Sequence, residues 1–243
     1  MTKIFYQNQE FNIPIIFEDN HLIVVEKPVG LLSQEDQSGD PDLLNIIKEY
    51  LRIKYNKPGA AWLGLVHRLD RPIGGLMVFA KTSKAASRLS AQIREHQFVR
   101  KYVAVIHKKP ELKNAVWSDF ISRNKVQGKY IVISQPDKSH QTKYQKCELS
   151  YQLQDYLSES DLSLIEVDLK TGRSHQIRAQ MRAHHHPLVG DRLYGKITDL
   201  DRNTDGPALY ASFIQFKHPT KDELCIFKSQ PKQKPFDLFK KSI

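Results

Sequence analysis

Two apolar runs, Pro14–Phe17 and His21–Val25, flank the polar triplet Glu18-Asp19-Asn20 and predict strand, tight turn, strand. Ahead of them the polar stretch Met1–Asn12 predicts no element, so the first strand is expected near Pro14. Lys27-Pro28-Val29-Gly30 ends the second strand, and the turn formers between Gln34 and Pro41 read as a surface loop. Leu43, Leu44, Ile46, Ile47 and Leu51 recur at helical spacing behind Asp42, a capping residue type, and that helix ends before Asn56-Lys57-Pro58-Gly59. Trp62–Val66 and Leu76–Ala80 read as strands on either side of a loop. Thr82 or Ser83 caps a second helix, with Ala86, Leu89 and Ile93 as its core stripe and Lys84, Arg88 and Arg94 off it.

Arg100–Ile106 alternates with period two, which puts Tyr102, Ala104 and Ile106 on one face and Val103 and Val105 on the other. A tyrosine there is a core residue unless its ring meets a ligand, where it can stack on a base. Val116–Tyr151 predicts short strands in hairpins or a meander, and Leu162–Leu169 a further strand. A helix follows from His175 to about His184; Ile177 and Met181 face its core, which turns Arg178 and Arg182 onto the adjoining stripe. His186–Asp191 reads as strand and turn, Ala208–Phe216 and Leu224–Lys228 as closing strands, and the lysine-rich tail from Lys232 as a fraying end.

Composition changes this picture in one respect. The 40% hydrophobic and 26% charged residues are ordinary for a globular chain, and 243 residues suffice for one domain with a core; with no repeat or linker, a single domain over residues 1–243 is expected. The net charge of +10 is not ordinary, and favours a polyanionic partner, nucleic acid before an anionic membrane. Cys147 and Cys225 lie far apart without CxxC spacing, so neither a disulfide framework nor a zinc knuckle is suggested, and no apolar run approaches the roughly 20 residues that span a bilayer. A reducing, cytoplasmic setting fits. His184-His185-His186 invites a metal reading, but consecutive residues of a helix cannot all face one ion and the next acid is Asp191; no metal is expected.

Within that basic chain one acid is out of place. Between Glu49 and Glu95 the only carboxylate is Asp70, among nine Lys or Arg. Either it neutralises a local excess of cations, as a surface partner of Arg68 or Arg71, or it is there for chemistry. It lies in a loop between strands, where catalytic groups are commonly held, and Gly74 and Gly75 permit close approach of backbone or ligand.

Three separated signatures then meet in order. His67-Arg68-Leu69-Asp70 with Gly75-Leu76 and Ala80-Lys81 is one. Lys101-Tyr102-Val103-Ala104 is the second. Thr171-Gly172-Arg173-Ser174-His175-Gln176-Ile177-Arg178, followed by His186-Pro187-Leu188-Val189-Gly190-Asp191 and Tyr194-Gly195, is the third. Together with Glu18-Asp19 and Val24–Leu31 they resemble the RluA family of pseudouridine synthases over nearly the whole chain. The resemblance implies an α+β fold, a mixed, largely antiparallel β-sheet crossed by a basic active-site cleft with flanking helices. It implies isomerisation of specific uridines in ribosomal or transfer RNA, with no cofactor, no metal, no membrane and no obligatory protein partner. By it Asp70 is the catalytic aspartate, Tyr102 lies against the target base and Arg178 pairs with Asp70. Arg68 replaces the flipped uridine in the RNA stack, Leu188 contacts the base, and His67, Arg173 and His175 bind substrate. Where the family usually carries Thr-Ser-Gly, this chain has Ile73-Gly74-Gly75, which removes two hydroxyls from the loop. The S4-type domain of many relatives is not expected here.

The chemistry is consistent with this. Rearrangement needs one carboxylate, as nucleophile at C1′, as a stabiliser of positive charge there or as a base for the 2′ proton, and the sequence leaves these routes open. A conventional glycosidase uses two carboxylates, and the motif has one. A cation beside Asp70 favours its ionised, oriented form. Turning a base out of its stack costs a few kcal/mol, part of which a side chain such as Arg68 offsets by filling the gap. The competing expectations are a catalytically inactive RNA-binding protein of the same fold and, further off, a uridine glycohydrolase.

Overall fold

The computed structural model describes residues 2–138, 140–195 and 197–239, and the chain divides into two compact units, residues 1–99 with 211–229 and residues 100–210 with 230–243.

The first unit opens with a hairpin that the polar N-terminus conceals. β1 (Thr2–Tyr6) and β2 (Gln9–Ile13) pair antiparallel from Thr2↔Ile13 to Tyr6↔Gln9. The two-residue turn has Gln7 and Asn8 at φ 48° and 60°, the left-handed pair that matches hairpin twist. Only Ile4 and Ile13 of the hairpin are buried, too few for an alternation that sequence can register. β3 (Ile15–Glu18) and β4 (Leu22–Lys27) follow as expected, and Asp19 Oδ1 accepts from His21 N and Leu22 N in their turn. β4 pairs antiparallel with β6 (Gly74–Ala80), all seven residues of which are buried, and the short β5 (Gly64–Leu65) pairs with β6 as well. β12 (Leu209–Lys217, in this unit from Ala211) pairs antiparallel with β13 (Leu224–Lys228).

Two helices cover these strands. α1 (Leu43–Lys54) is capped by Asp42, which accepts from Asn45 N, and buries Leu43, Ile46, Ile47 and Leu51. α2 (Ser83–Arg94) is capped by Thr82, but its stripe is turned one position from the expected one: Ala85, Leu89 and Gln92 are buried, with Ala86 and Ile93 at the margin. The reason is polar. Gln92 donates from Nε2 to Lys217 O and accepts at Oε1 from Lys217 N, both at 2.8 Å, a clamp on β12 that an isoleucine cannot make. Leu22, Val24, Leu76, Val78, Phe98, Ile214 and Phe216 fill the core beneath.

In the second unit β7 (Val99–His107), β11 (Leu162–Leu169), β10 (Tyr144–Leu157), β8 (Asn114–Ser122) and β9 (Val132–Ile133) lie in that order, every neighbour antiparallel. Of the expected hairpins or meander, the β8–β9 hairpin is present, but β10 pairs on the other side of β8 rather than with β9, so the segment is not a simple meander, and β10 is longer than expected. Residues directly opposite share a face, so the register places Tyr102, Val167 and Tyr151 on one side, with Cys147 and Asp119 further along the same side. α3 (Gln176–Ala183) packs on that side, Ala179 meeting Ile121 and Cys147. On the other face Val105, Leu162 and Leu164 meet Phe236 and Phe239, each 1% exposed, so residues 236–239 are docked rather than frayed. Residues 240–243 of the expected fraying tail lie outside the described residues. The strand expected over His186–Asp191 is reduced to one bridge, Ile106↔Leu188, before Gly190 turns the chain at φ 74°. A short helix that the apolar pattern does not signal, α4 (Asp199–Arg202), starts from a capping box between Thr198 and Asp201.

Candidate active site

In the first unit the segment His67–Ile73 leaves β5 and enters β6 with His67, Leu69 and Ile73 buried, Arg68 and Arg71 exposed and Asp70 half-buried. His67 Nε2 accepts from Val78 N at 3.1 Å, so the imidazole is neutral and carries its proton on Nδ1. Its ring packs 5.6 Å from that of Phe98, and one role of His67 is thus to hold the loop onto β6. Arg71, the other flanking cation, turns away to Asp40 at 2.6 Å and Gly30 O at 3.0 Å; that exposed pair contributes little stability.

The backbone on both sides of Asp70 is held by Lys27–Ser33. Ser33 Oγ donates to Leu69 O at 2.6 Å and accepts from Leu69 N at 3.1 Å. Arg71 O accepts from Gly30 N at 2.9 Å and from Lys27 Nζ at 3.1 Å, and Ile73 N donates to Asp70 O at 2.9 Å. Lys27 is 1% exposed, and its other two N–H groups go to Pro28 O and Leu31 O, at 3.0 and 2.5 Å. Burial pushes its ammonium down from 10.5 to about 7, with the Asp70 charge acting to raise it and that of Arg71 to lower it. Neither Lys27 nor Ser33 carries a signal in sequence that ties it to Asp70, because the contacts span 36 to 44 positions.

In the second unit the third signature folds around Arg178. Both Arg178 and Arg182 were expected on the stripe adjoining the buried side; Arg182 is exposed, and Arg178 is instead only 5% exposed. Two of the five N–H groups of its guanidinium reach Asp191: Nε to Oδ2 at 2.7 Å and Nη2 to Oδ1 at 2.8 Å. Such a buried, bidentate pair fixes the plane of the guanidinium. Asp191 Oδ1 also accepts from Leu193 N and Tyr194 N, and the Tyr194 ring lies 5.1 Å from the guanidinium carbon. His175, in the left-handed conformation at φ 53°, meets Tyr194 Oη through Nδ1 at 3.2 Å, and Tyr130 N donates to the same oxygen. Arg173 is exposed, its Nε donating to Lys146 O at 3.2 Å. Tyr102 is 6% exposed and Leu188 1% exposed. The structure thus gathers Arg178, His175, Asp191 and Tyr194 into one cluster on the sheet face that carries Tyr102, and Asp191 and Tyr194 are members that sequence reading had not assigned a role.

The three consecutive histidines go to different places. His184 stacks on Trp117 at 3.9 Å and meets Asp119 at 2.9 Å, His185 is exposed, and His186 meets His107 O at 3.4 Å. Burial lowers the pKa of His186, which favours its neutral form. Among the described residues no group of three His, Cys, Asp or Glu is placed to hold a metal ion, and no helix is long and apolar enough to cross a membrane.

Residues 21–183, about two thirds of the chain, match the family model described as RNA pseudouridylate synthase. An uncharacterised RNA pseudouridine synthase of Bacillus subtilis is 31% identical over 221 residues, which cover 88% of this chain and 67% of that protein. Ribosomal large subunit pseudouridine synthase D of Zymomonas mobilis is 31% identical over 240 residues, 96% of this chain and 73% of the relative. The synthase D of Yersinia pestis is 33% identical, with 65% of its length covered. Among solved structures, human RNA Pseudouridylate Synthase Domain Containing 4 superposes with a TM-score of 0.73 over 90% of this chain and 89% of that one, at 21% identity, which supports the α+β fold. On the family match and the identity to these relatives, the chain belongs to the RNA pseudouridylate synthase family.

Proposed function

We propose that this chain isomerises uridine to pseudouridine in RNA, that its substrate is ribosomal RNA, and that Asp70 is the carboxylate that acts on the ribose of the target uridine. The observation that carries the reading is the position of Asp70: half-buried on a loop whose neighbours are anchored in the core, within the stretch matched to the family. Loops on a rigid scaffold are where reacting groups are held. The ribosomal assignment is supported by the names of relatives from Zymomonas and Yersinia. The net charge of +10 supports a phosphate-rich substrate.

In the reaction the C1′–N1 bond breaks, the base turns, C1′ bonds to C5, the C5 proton leaves to solvent and N1 takes up a proton, so that product and substrate are isomers. Asp70 serves this as nucleophile at C1′, as a stabiliser of positive charge there, or by assisting loss of the 2′ proton. Tyr102 is proposed to lie against the base and Arg178 to act as the cation of the reaction, held in plane by Asp191. Arg68, exposed beside Asp70, is proposed to fill the gap left by the extruded base. His67, Leu188, Arg173 and His175 are proposed to contact substrate. The two cysteines are free thiols, which supports a cytoplasmic setting.

RNA tritiated at uridine C5 tests the reading. Wild-type protein is expected to release label, and Asp70→Asn to release none while binding RNA with an affinity within about threefold of wild type. Full turnover by Asp70→Asn refutes the role of Asp70. Absence of release by folded wild-type protein from any cellular RNA favours the inactive RNA-binding alternative.

A further inference from the structure

Ser33 is 5% exposed and lies in none of the three signatures that carry the family resemblance. With one hydroxyl it satisfies both backbone groups of Leu69, donating to the carbonyl at 2.6 Å and accepting from the N–H at 3.1 Å, much as a neighbouring strand would. Its Oγ also lies 3.5 Å from Met77 Sδ on β6, so the hydroxyl is lodged between the loop and the buried strand that follows it. Leu69 is the residue immediately before Asp70. The Leu69 backbone places the N and Cα of Asp70, from which its side chain departs, and Ser33 bonds that backbone at both its N–H and its carbonyl.

We propose that Ser33 is a positioning residue for the isomerisation: its hydroxyl fixes the Leu69 peptide and thereby the direction in which Asp70 presents its carboxylate. The proposal rests on the reading of Asp70 as catalytic. Removing the hydroxyl leaves a donor and an acceptor of Leu69 without their partner, and the loop relaxes toward other partners. A misplacement of about 1 Å at a reacting group costs on the order of a hundredfold in rate, whereas binding of a long RNA, spread over many contacts, is little changed. A merely structural hydroxyl would lower stability and leave turnover per folded molecule intact.

The test compares Ser33→Ala with Ser163→Ala, a control that is also buried and whose hydroxyl donates to Lys108 O at 3.0 Å in the second unit. Turnover is read as tritium release from C5-labelled RNA well below both melting temperatures. Ser33→Ala is expected to lower kcat by about 10- to 100-fold with KM within about twofold of wild type, Ser163→Ala to keep kcat, and Ser33→Thr, which retains a hydroxyl, to recover most of the loss. A kcat for Ser33→Ala within about twofold of wild type, or an equal loss in Ser163→Ala, overturns the proposal. If Ser33→Ala does not fold, Ser33→Cys carries the same test, since its thiol fills the space but bonds weakly. Active Asp70→Asn refutes the reading of Asp70; inactive Asp70→Asn beside a fully active Ser33→Ala refutes only the positioning role.

Discussion

Lys27 is 1% exposed, its N–H groups all reach backbone carbonyls, and burial pushes it down to about 7 from an ordinary value of 10.5. Below pH 7 both the folded and the unfolded chain hold the proton, and the native state carries the full cost of a buried ammonium. Between about 7 and 10.5 the folded chain has shed it and the unfolded chain has not, so unfolding takes up a proton and rising pH stabilises the fold. One proton corresponds to a slope of about 1.4 kcal/mol per pH unit, so roughly 3 kcal/mol accumulates between pH 7 and 9.5. Lys27→Met removes the titration and keeps the length of the side chain. Urea unfolding of both proteins, from pH 6 to 9.5 at constant ionic strength, is expected to show wild type gaining on the variant by that amount, mainly above pH 7. Other groups titrate in both proteins and cancel in the difference. Parallel curves, or a wild type that loses ground as pH rises, would refute a buried ammonium of depressed pKa under the Asp70 loop.

Two further outcomes follow from the packing. A Cβ on Gly75, at φ 122°, would lie 2.6 Å from Ala211 N and within contact of the neighbouring backbone, so Gly75→Ala is expected to cost about 3 kcal/mol or more, by clash and strain together. Gly39→Ala, at φ 72° with open space around it, should cost only about 1 kcal/mol, and equal losses in urea titrations would discredit the clash. The Glu18 side chain is 7% exposed, and this partial burial pushes its carboxyl up, but donation from Lys54, Lys81, Tyr55 and Tyr50 outweighs it and holds the carboxyl down at about 2, from 4.5. The stability it contributes is therefore complete above pH 4.5 and is lost as pH falls toward 2; the advantage of wild type over Glu18→Gln should shrink on acidification from pH 5 to 3, and a constant advantage would contradict the network.

How much of this was legible in the chain depends on the range of each interaction. Period-two runs such as Leu162–Leu169, and a helix opened by Asp42, declare themselves because their causes lie within a few residues. The N-terminal hairpin was hidden because only Ile4 and Ile13 face inward, and the docked tail because two phenylalanines among lysines show no period until Val105, Leu162 and Leu164 are brought beneath them. On α2 the apolar pattern pointed to Ile93, but the buried position belongs to Gln92, whose partner Lys217 lies 125 positions away.

The same division runs through the site. That a lone acid sits in a basic, glycine-followed loop between two strands can be read from the chain alone, since motif, charge and turn chemistry are all local there. What holds the groups in place emerges from the packed chain: Ser33 and Lys27 around the Asp70 backbone, Val78 N on His67, and Asp191 on Arg178. These are hydrogen bonds whose geometry depends on distances across the fold, and such partners acquire a direction only when the chain has packed.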